Sequence, residues 1–292
     1  MTESASELID DRFRILERIG AGGMSKVYRA VDLSSGATVA LKVMAPEFLA
    51  VLPEERDRSE RRFQREARIL EALRGVDQVV RFIAARLDAQ PPWIAMELVE
   101  GISLREMIER SGGRMASDLM VAIAREVVTG LRNIHRQRVL HRDLAPENII
   151  VSRGKGGAPR VVFLDFGIGK SLEPEQSPVT RQTTLMGKPS YVAPEQSRGQ
   201  LLTAGFDVYA LGVVLYEMIT GHLPLEIRSF AEIARLRREA PRPLAAFPSA
   251  ARVPEELRAL VMSCLAKEPE DRPTTDELLE CLVELERRHA DG

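Results

Sequence analysis

Between residues 13 and 98 the chain alternates short apolar runs with polar turns: FRILERIG, KVYRAVDL, TVALKVM, VVRFIAARL and WIAMELV. Each run is rich in Val, Ile and Leu and has the length of a strand. Ser34, Ser35 and Gly36 fall where a hairpin would turn between the second run and the third. One charged segment, EERDRSERRFQREARILEALR, interrupts the series. Its residues Phe63, Ala67, Leu70 and Leu73 recur at helical spacing, which predicts one amphipathic helix laid on a small sheet. The mixed charge of that segment reads as a solvated helix face.

Beyond Gly101 the pattern changes. Ser103 with Glu106 makes a capping box that opens a short helix. Leu119, Ile123, Val127, Leu131 and Ile134 mark one face of a long helix. Two short strands follow, around 149–151 and 161–164, and the remainder is mainly loops and helices. Thr274 with Glu277 forms a second capping box at the start of the last helix. A small β-rich half followed by a larger helical half predicts an α+β architecture. The sequence shows no internal repeat and no low-complexity linker.

Composition narrows the class. The 292 residues suffice for one large domain or two modest ones. With 41 basic and 43 acidic residues the formal net charge is -2, which gives no support to nucleic-acid or membrane-surface binding. Cys264 and Cys281 alone make neither a disulfide framework nor a metal cluster, and they point to a reducing cytoplasm. The N-terminal stretch MTESASELIDDRF lacks the apolar core of a signal peptide. No run approaches the roughly 18 uncharged apolar residues of a membrane helix. A soluble chain is expected.

Candidate chemistry begins at IGAGGMSKVY, where Gly20 and Gly22 sit between two apparent strands. Glycines there let backbone N–H groups face phosphate oxygens, although glycine-rich hairpin turns also occur without a ligand. A dinucleotide fingerprint is excluded, because a strand follows the glycines where a helix is required. In VALK, Lys42 lies on an apolar strand, a costly position unless a carboxylate meets it. Glu66 on the amphipathic helix is the natural partner. HRDLAPEN follows at 141–148, with Asp143 and Asn148 five positions apart, then LDFG at 164–167, YVAPE at 191–195, DVYALG at 207–212 and a late Arg272.

This ordered set, running from about residue 12 to residue 286, resembles a protein kinase catalytic domain. GGMSKVY and APEQ are similar to bacterial eukaryotic-like Ser/Thr kinases of the mycobacterial type with GGM in the loop. The resemblance implies an α+β bilobal kinase fold with a kinase domain at 12–288. Residues 12–98 would form a small antiparallel sheet with one regulatory helix, residues 99–288 a mainly helical lobe, and residues 1–11 an N-terminal extension. It implies transfer of the γ-phosphate of ATP to Ser/Thr hydroxyls of proteins, with Mg2+, or Mn2+ in its place. Phosphoryl transfer asks mainly for positioning and electrostatic stabilisation.

By the same resemblance, the loop with Gly20, Ala21, Gly22 and Gly23 covers the phosphates. Lys42 holds the α- and β-phosphates and is held by Glu66. Asp143 accepts or orients the substrate proton, and Asn148 and Asp165 bind metal. Adenine lies between Ile19, Val27 and Ala40 on one side and Ile150 on the other, with backbone bonds from Glu97 and Val99 and Met96 at the back. Asp207 bonds the catalytic-loop backbone, and Glu195 with Arg272 makes a buried ion pair. Leu70, Phe82, His141 and Phe166 match a stacked apolar spine. His135, His222 and His289 read as surface or capping residues.

Three positions depart from the family. Ser25 replaces the third loop glycine. Ala145 stands where Ser/Thr kinases carry a lysine that contacts the γ-phosphate. Gly187-Lys188 replaces Gly-Thr, whose threonine lies beside that lysine. A spatial swap is expected, in which the Lys188 ammonium serves the region Ala145 leaves empty; the alternative is a lysine that simply faces solvent. Tyrosine kinases also carry alanine there, but Pro146-Glu147 and the bacterial-type loop favour Ser/Thr. Thr180, Thr183 and Thr184 are expected autophosphorylation sites, with Thr180 and Thr184 foremost. A phosphate there adds roughly two negative charges, which Arg142 and Lys170 would receive. Dimerisation through residues 12–98 and a cytoplasmic location, as a small kinase or the cytosolic part of a longer protein, complete the expectation. The alternative function is an ATP-binding scaffold, or a weakly active kinase that needs a partner.

Overall fold

A computed structural model describes residues 8–22, 24–45, 53–112, 115–166, 188–198, 202–229 and 232–290. The chain divides after Glu100 into two compact units. The first contains β1 (Leu8–Ile9), β2 (Phe13–Ala21), β3 (Ser25–Asp32), β4 (Thr38–Met44), helix α1 (Pro53–Ala72), β5 (Phe82–Arg86) and β6 (Trp93–Glu97). The six strands form one antiparallel sheet in the order β1-β2-β3-β4-β6-β5. Ile9, Phe13, Ala30, Val39, Leu41, Val43, Trp93 and Ala95 build its core, and Phe13 meets Trp93 edge to face at 4.7 Å.

The β3–β4 hairpin turns where the sequence predicts it. Asp32 accepts the Ser34 N–H and hydroxyl, and Gly36 adopts φ 73° in the left-handed region that glycine tolerates. On α1, Phe63, Ala67 and Leu70 are all buried, as is Leu73 just beyond its end, so the helical period places the apolar face correctly. Glu66 is buried on that same face. The strand expected from VVRFIAARL is shorter than its apolar run. Val79 and Val80 are buried yet precede β5; Val79 makes only an isolated bridge and Val80 none, so the extended ladder begins at Phe82.

The second unit contains β7 (Ile102–Ser103), α2 (Leu104–Ser111), α3 (Ser117–Arg136), β8 (Ile149–Arg153), β9 (Pro159–Phe163), α4 (Ala204–Thr220), the short α5 (Arg235–Arg238), α6 (Glu255–Cys264) and α7 (Thr275–Ala290). β7, β8 and β9 pair antiparallel. Ser103 caps α2 by accepting the Glu106 N–H at 3.1 Å. Thr274 and Glu277 close a reciprocal box at α7, with Glu277 accepting the Thr274 N–H at 2.7 Å.

Leu119 is a correction. It is 37% exposed, whereas Met120, Val121, Ile123, Ala124, Val127, Val128, Leu131 and Ile134 are buried. The buried arc of α3 is broad because the helix packs against both β9 and α7, and Leu119 lies just off its edge. Leu164 likewise falls just past the end of β9.

Helix α4 is buried at every residue from Phe206 to Thr220, which makes it the central helix of the unit. It approaches α6 closely at Gly212, where a Cβ would stand 2.7 Å from the Cys264 Cβ. Gly212→Ala is therefore expected to lower stability by about 1–3 kcal/mol through overpacking, measured as a shift in urea midpoint at unchanged slope.

Candidate active site

In the first unit the strand registers bring the expected nucleotide residues to one face. Gly20 lies opposite Val27, Val27 opposite Lys42, and Ala40 opposite Met96. Directly paired residues, and residues two apart on a strand, share a side of the sheet, so Gly20, Val27, Ala40, Lys42 and Met96 do so. The register slips between Arg18 and Gly20, which leaves Ile19 as the bulged, exposed residue. Gly22 donates its N–H to Ser25 O at 2.8 Å and closes the β2–β3 turn, with Ala21 still paired to Lys26. The Glu97 N–H goes to Arg81 O at 2.9 Å, so Glu97 has only its carbonyl to offer a base. Gly23 lies outside the described residues.

Lys42 donates to Glu66 Oε1 at 2.5 Å, with the two side chains 9% and 5% exposed. β4 is buried at every residue but its first, and α1 turns Glu66 inward between Phe63, Ala67 and Leu70. An ammonium in this position is tolerated because the carboxylate meets it, and the pair fixes where its charge points.

In the second unit the catalytic-type loop hangs from Asp207 in the first turn of α4. Its fully buried carboxylate accepts the His141 N–H at 2.8 Å and the Arg142 N–H at 2.9 Å, and His135 Nε2 lies 2.8 Å away. Burial pushes the Asp207 carboxyl up, but the His135 bond, the nearby histidines and the Arg142 N–H outweigh it and hold it below the ordinary carboxylate range. Arg142 sits at φ 63°, a left-handed conformation that a non-glycine residue keeps only when its surroundings enforce it. His135 is thus no surface residue. It is mostly buried and secures Asp207, whereas His222 is exposed and stacks on Phe247.

Within the loop, Asn148 Nδ2 donates to Asp143 O at 2.9 Å and to Asp143 Oδ2 at 3.1 Å. The residues flanking Asp165 are both tied to the same loop. Leu164 donates its N–H to Asn148 O at 3.0 Å, and Phe166 stacks on His141 at 4.9 Å. Asp165 is half-buried, as are Ile150 and Val99. The donor set fits a hard cation. With Asn148 Nδ2 turned to Asp143, its amide oxygen is the remaining acceptor, and with the Asp165 carboxylate it makes two protein oxygens that could take a hard divalent cation.

A second network was not foreseen from the sequence. Glu147, in the turn Pro146–Asn148, bonds the Lys188 ammonium through Oε2 and Arg105 through Oε1, the latter at 3.1 Å. Arg105 also bonds both carboxylate oxygens of Glu217 and donates to Tyr191 Oη at 2.5 Å. Tyr191 in turn donates to Glu217 Oε2 at 2.5 Å. Burial first, and then the adjoining Glu217 carboxylate, push the Tyr191 phenol far up and keep it a donor. Lys188 therefore does not simply face solvent; it pairs with Glu147. Glu147 and Tyr191 lie inside the motifs HRDLAPEN and YVAPE, whereas Arg105 and Glu217 carry no sequence signal. Lys170, Thr180, Thr183, Thr184 and Gly187 lie outside the described residues. Glu195 and Arg272 form a two-bond pair at 2.7 and 2.7 Å, buried as expected.

Comparison with known proteins agrees with this arrangement. The sequence profile of the protein kinase domain family matches residues 13–282. The chain is 36% identical over 264 residues to serine/threonine-protein kinase Pkn1 of Myxococcus xanthus, covering 89% of this chain and 36% of that protein. It is 35% identical over 297 residues to pkn3 of the same organism, covering 99% and 53%. It is also 35% identical over 270 residues to PknL of Mycobacterium tuberculosis, covering 91% and 63%. The chain thus spans between about a third and two thirds of these relatives' lengths. The kinase domain of Mycobacterium tuberculosis PknI superimposes with a TM-score of 0.69 at 24% identity, covering 97% of this chain and 99% of that one, and shows the shared fold. The motifs, the fold and the profile over most of the sequence lead to one conclusion: the chain belongs to the protein kinase domain family.

Proposed function

We propose that this domain transfers the γ-phosphate of ATP to serine or threonine hydroxyls of proteins. The observation that carries this is the Asp143–Asn148 pair, held in one loop whose backbone is bonded to the buried Asp207. Members of the family use ATP and a divalent metal ion. In this chain Asn148 and Asp165 would hold that metal, Mg2+ or Mn2+, which when bound neutralises charge on the phosphate oxygens. Gly20, Ala21, Gly22 and Gly23 would line the phosphates, with the Gly22 N–H already given to Ser25 O and so not among the donors. Ile19, Val27, Ala40, Met96, Val99 and Ile150 would enclose the adenine.

Lys42 would present its ammonium to the α- and β-phosphates, with Glu66 keeping it in place. Asp143 would accept a hydrogen bond from the substrate hydroxyl, aligning its oxygen and taking its proton as the bond to phosphorus forms. Asn148 fixes the orientation of that carboxylate. Lys188 would supply the cation that Ala145 does not. Autophosphorylation at Thr180, Thr183 or Thr184 belongs to the same proposal.

The test is intact-mass analysis of phosphatase-treated protein incubated with MgATP, with Lys42→Met in parallel. Wild type is expected to gain mass in steps of one phosphate, and the variant to do so at least about 100-fold more slowly. Peptide mapping then reports which threonine is modified. A rate per molecule that rises with protein concentration would mark transfer between copies, as self-association through residues 12–98 requires. Intact nucleotide binding with no mass gain by wild type would favour a nucleotide-binding scaffold instead.

A further inference from the structure

We infer that Glu147 is a positioning residue for Lys188, holding that lysine's ammonium against the Asp143–Asn148 loop, where Ala145 supplies no cation. This rests on the reading of Lys188 as a phosphate contact and deepens it. Lys188 is tied at both ends. Its carbonyl accepts the Tyr191 N–H at 3.1 Å, and Tyr191 is locked by Glu217 and Arg105. Its ammonium meets Glu147, which stands two residues beyond the buried Ala145 and one before Asn148.

The chemistry of the pair suits a guide and not a permanent bond. The side chains of Lys188 and Glu147 are 38% and 37% exposed, so solvent moderates their attraction from the lysine side, although the contacting Glu147 Oε2 is itself buried. An ammonium has three donors, and an ion-pair contact with Glu147 takes at most one of them, so a phosphate oxygen can be met without releasing the carboxylate. Arg105 reaches the other oxygen of Glu147 while doubly bonded to Glu217. That contact stops the Glu147 carboxylate from swinging and carrying Lys188 away. Two cations, Arg105 and Lys188, balance two carboxylates, Glu147 and Glu217, so the cluster has no surplus charge of its own.

The experiment is a double-mutant cycle in steady-state phosphotransfer at saturating ATP, with Lys188→Met, Glu147→Gln and the pair. Lys188→Met is expected to lower kcat by about 100-fold, as loss of a cation aimed at transferring phosphate would. Glu147→Gln is expected to lower kcat by about 5-fold with KM for ATP within about 2-fold, and to add nothing in the Lys188→Met background. Glu147→Asp, which keeps the charge at shorter reach, is expected to recover part of the loss. If Glu147→Gln costs the same factor in both backgrounds, Glu147 acts through Arg105 or the fold and the inference is wrong. If Glu147→Asp is no better than Gln, the carboxylate charge is not what places Lys188, and the inference again falls. Full kcat in Lys188→Met would instead remove the phosphate role of Lys188 itself, while an inactive wild type would remove the kinase reading. Thermal melts of each variant separate these outcomes from misfolding.

Discussion

Asp143→Asn is expected to lower kcat by about 1,000-fold while leaving ATP affinity within about 2-fold, within the range that loss of a general base produces. The substitution replaces one carboxylate oxygen by an NH2 group and changes little of the fold. Asn148 Nδ2 still has the Asp143 backbone carbonyl, at 2.9 Å in the native loop, and an asparagine side-chain oxygen can take the second bond now made to Oδ2. Once that oxygen turns to Asn148, the NH2 group faces the other way. A donor then stands where the substrate hydroxyl needs an acceptor, and the negative charge that would draw its proton is gone. The loop's anchorage is untouched, because His141 and Arg142 donate to Asp207 and not to Asp143. Single-turnover phosphotransfer and nucleotide titration on the same preparation check both halves. A variant within about 10-fold of wild type would mean that Asp143 does not handle the proton.

The Lys42–Glu66 contact was legible in the sequence because two independent signals converge on it. Lys42 stands alone as a charge in the apolar run of β4, where it needs a carboxylate, and the helical period of Phe63, Ala67 and Leu70 places Glu66 on the buried face of α1. The two helix starts were legible for a similar reason, since each is capped by residues three apart, with the reciprocal bond of the box recorded at Thr274 and Glu277 and the single N-cap bond at Ser103. Arg105 and Glu217 are 112 positions apart, and nothing in either helix marks one as the partner of the other. Periodicity states which face is apolar, but it is silent about which charge on the opposite face will find a mate across the fold. His135 was misread on that account. It follows the buried Ile134 at the edge of the apolar arc of α3, and its role appears only when α4 brings Asp207 to it. Lys188 lay between these cases. Its departure from the family pattern pointed to the loop of Ala145, but the carboxylate that receives it belongs to Glu147, to which the motif HRDLAPEN assigned no contact of its own.

Arg272→Met is expected to destabilise the second unit by about 3–5 kcal/mol, the cost of removing one partner from a buried ion pair. Arg272 and Glu195 are 0% and 2% exposed at their side chains, so the orphaned carboxylate cannot recover water. Methionine fills much of the arginine stem's space but replaces none of its donors. In addition to the two bonds to Glu195, the guanidinium donates to Ala266 O at 2.9 Å, Gly205 O at 2.8 Å and Lys267 O at 3.1 Å. Glu195→Leu added to Arg272→Met should therefore restore only part of the loss, since the buried charge goes but three carbonyls still lack their donor. Gly205 gives the effect a functional reach, because it lies two residues before Asp207 in the first turn of α4. Loosening that turn frees the carboxylate that holds the His141 and Arg142 amides. Hydrogen exchange at those two amides is expected to accelerate in Arg272→Met more than exchange on the β8–β9 ladder, even below the unfolding transition. Urea unfolding measures the first expectation. A shift under about 1 kcal/mol would show that water or a rearranged neighbour replaces the guanidinium, and that the pair is not what holds the base of the catalytic loop.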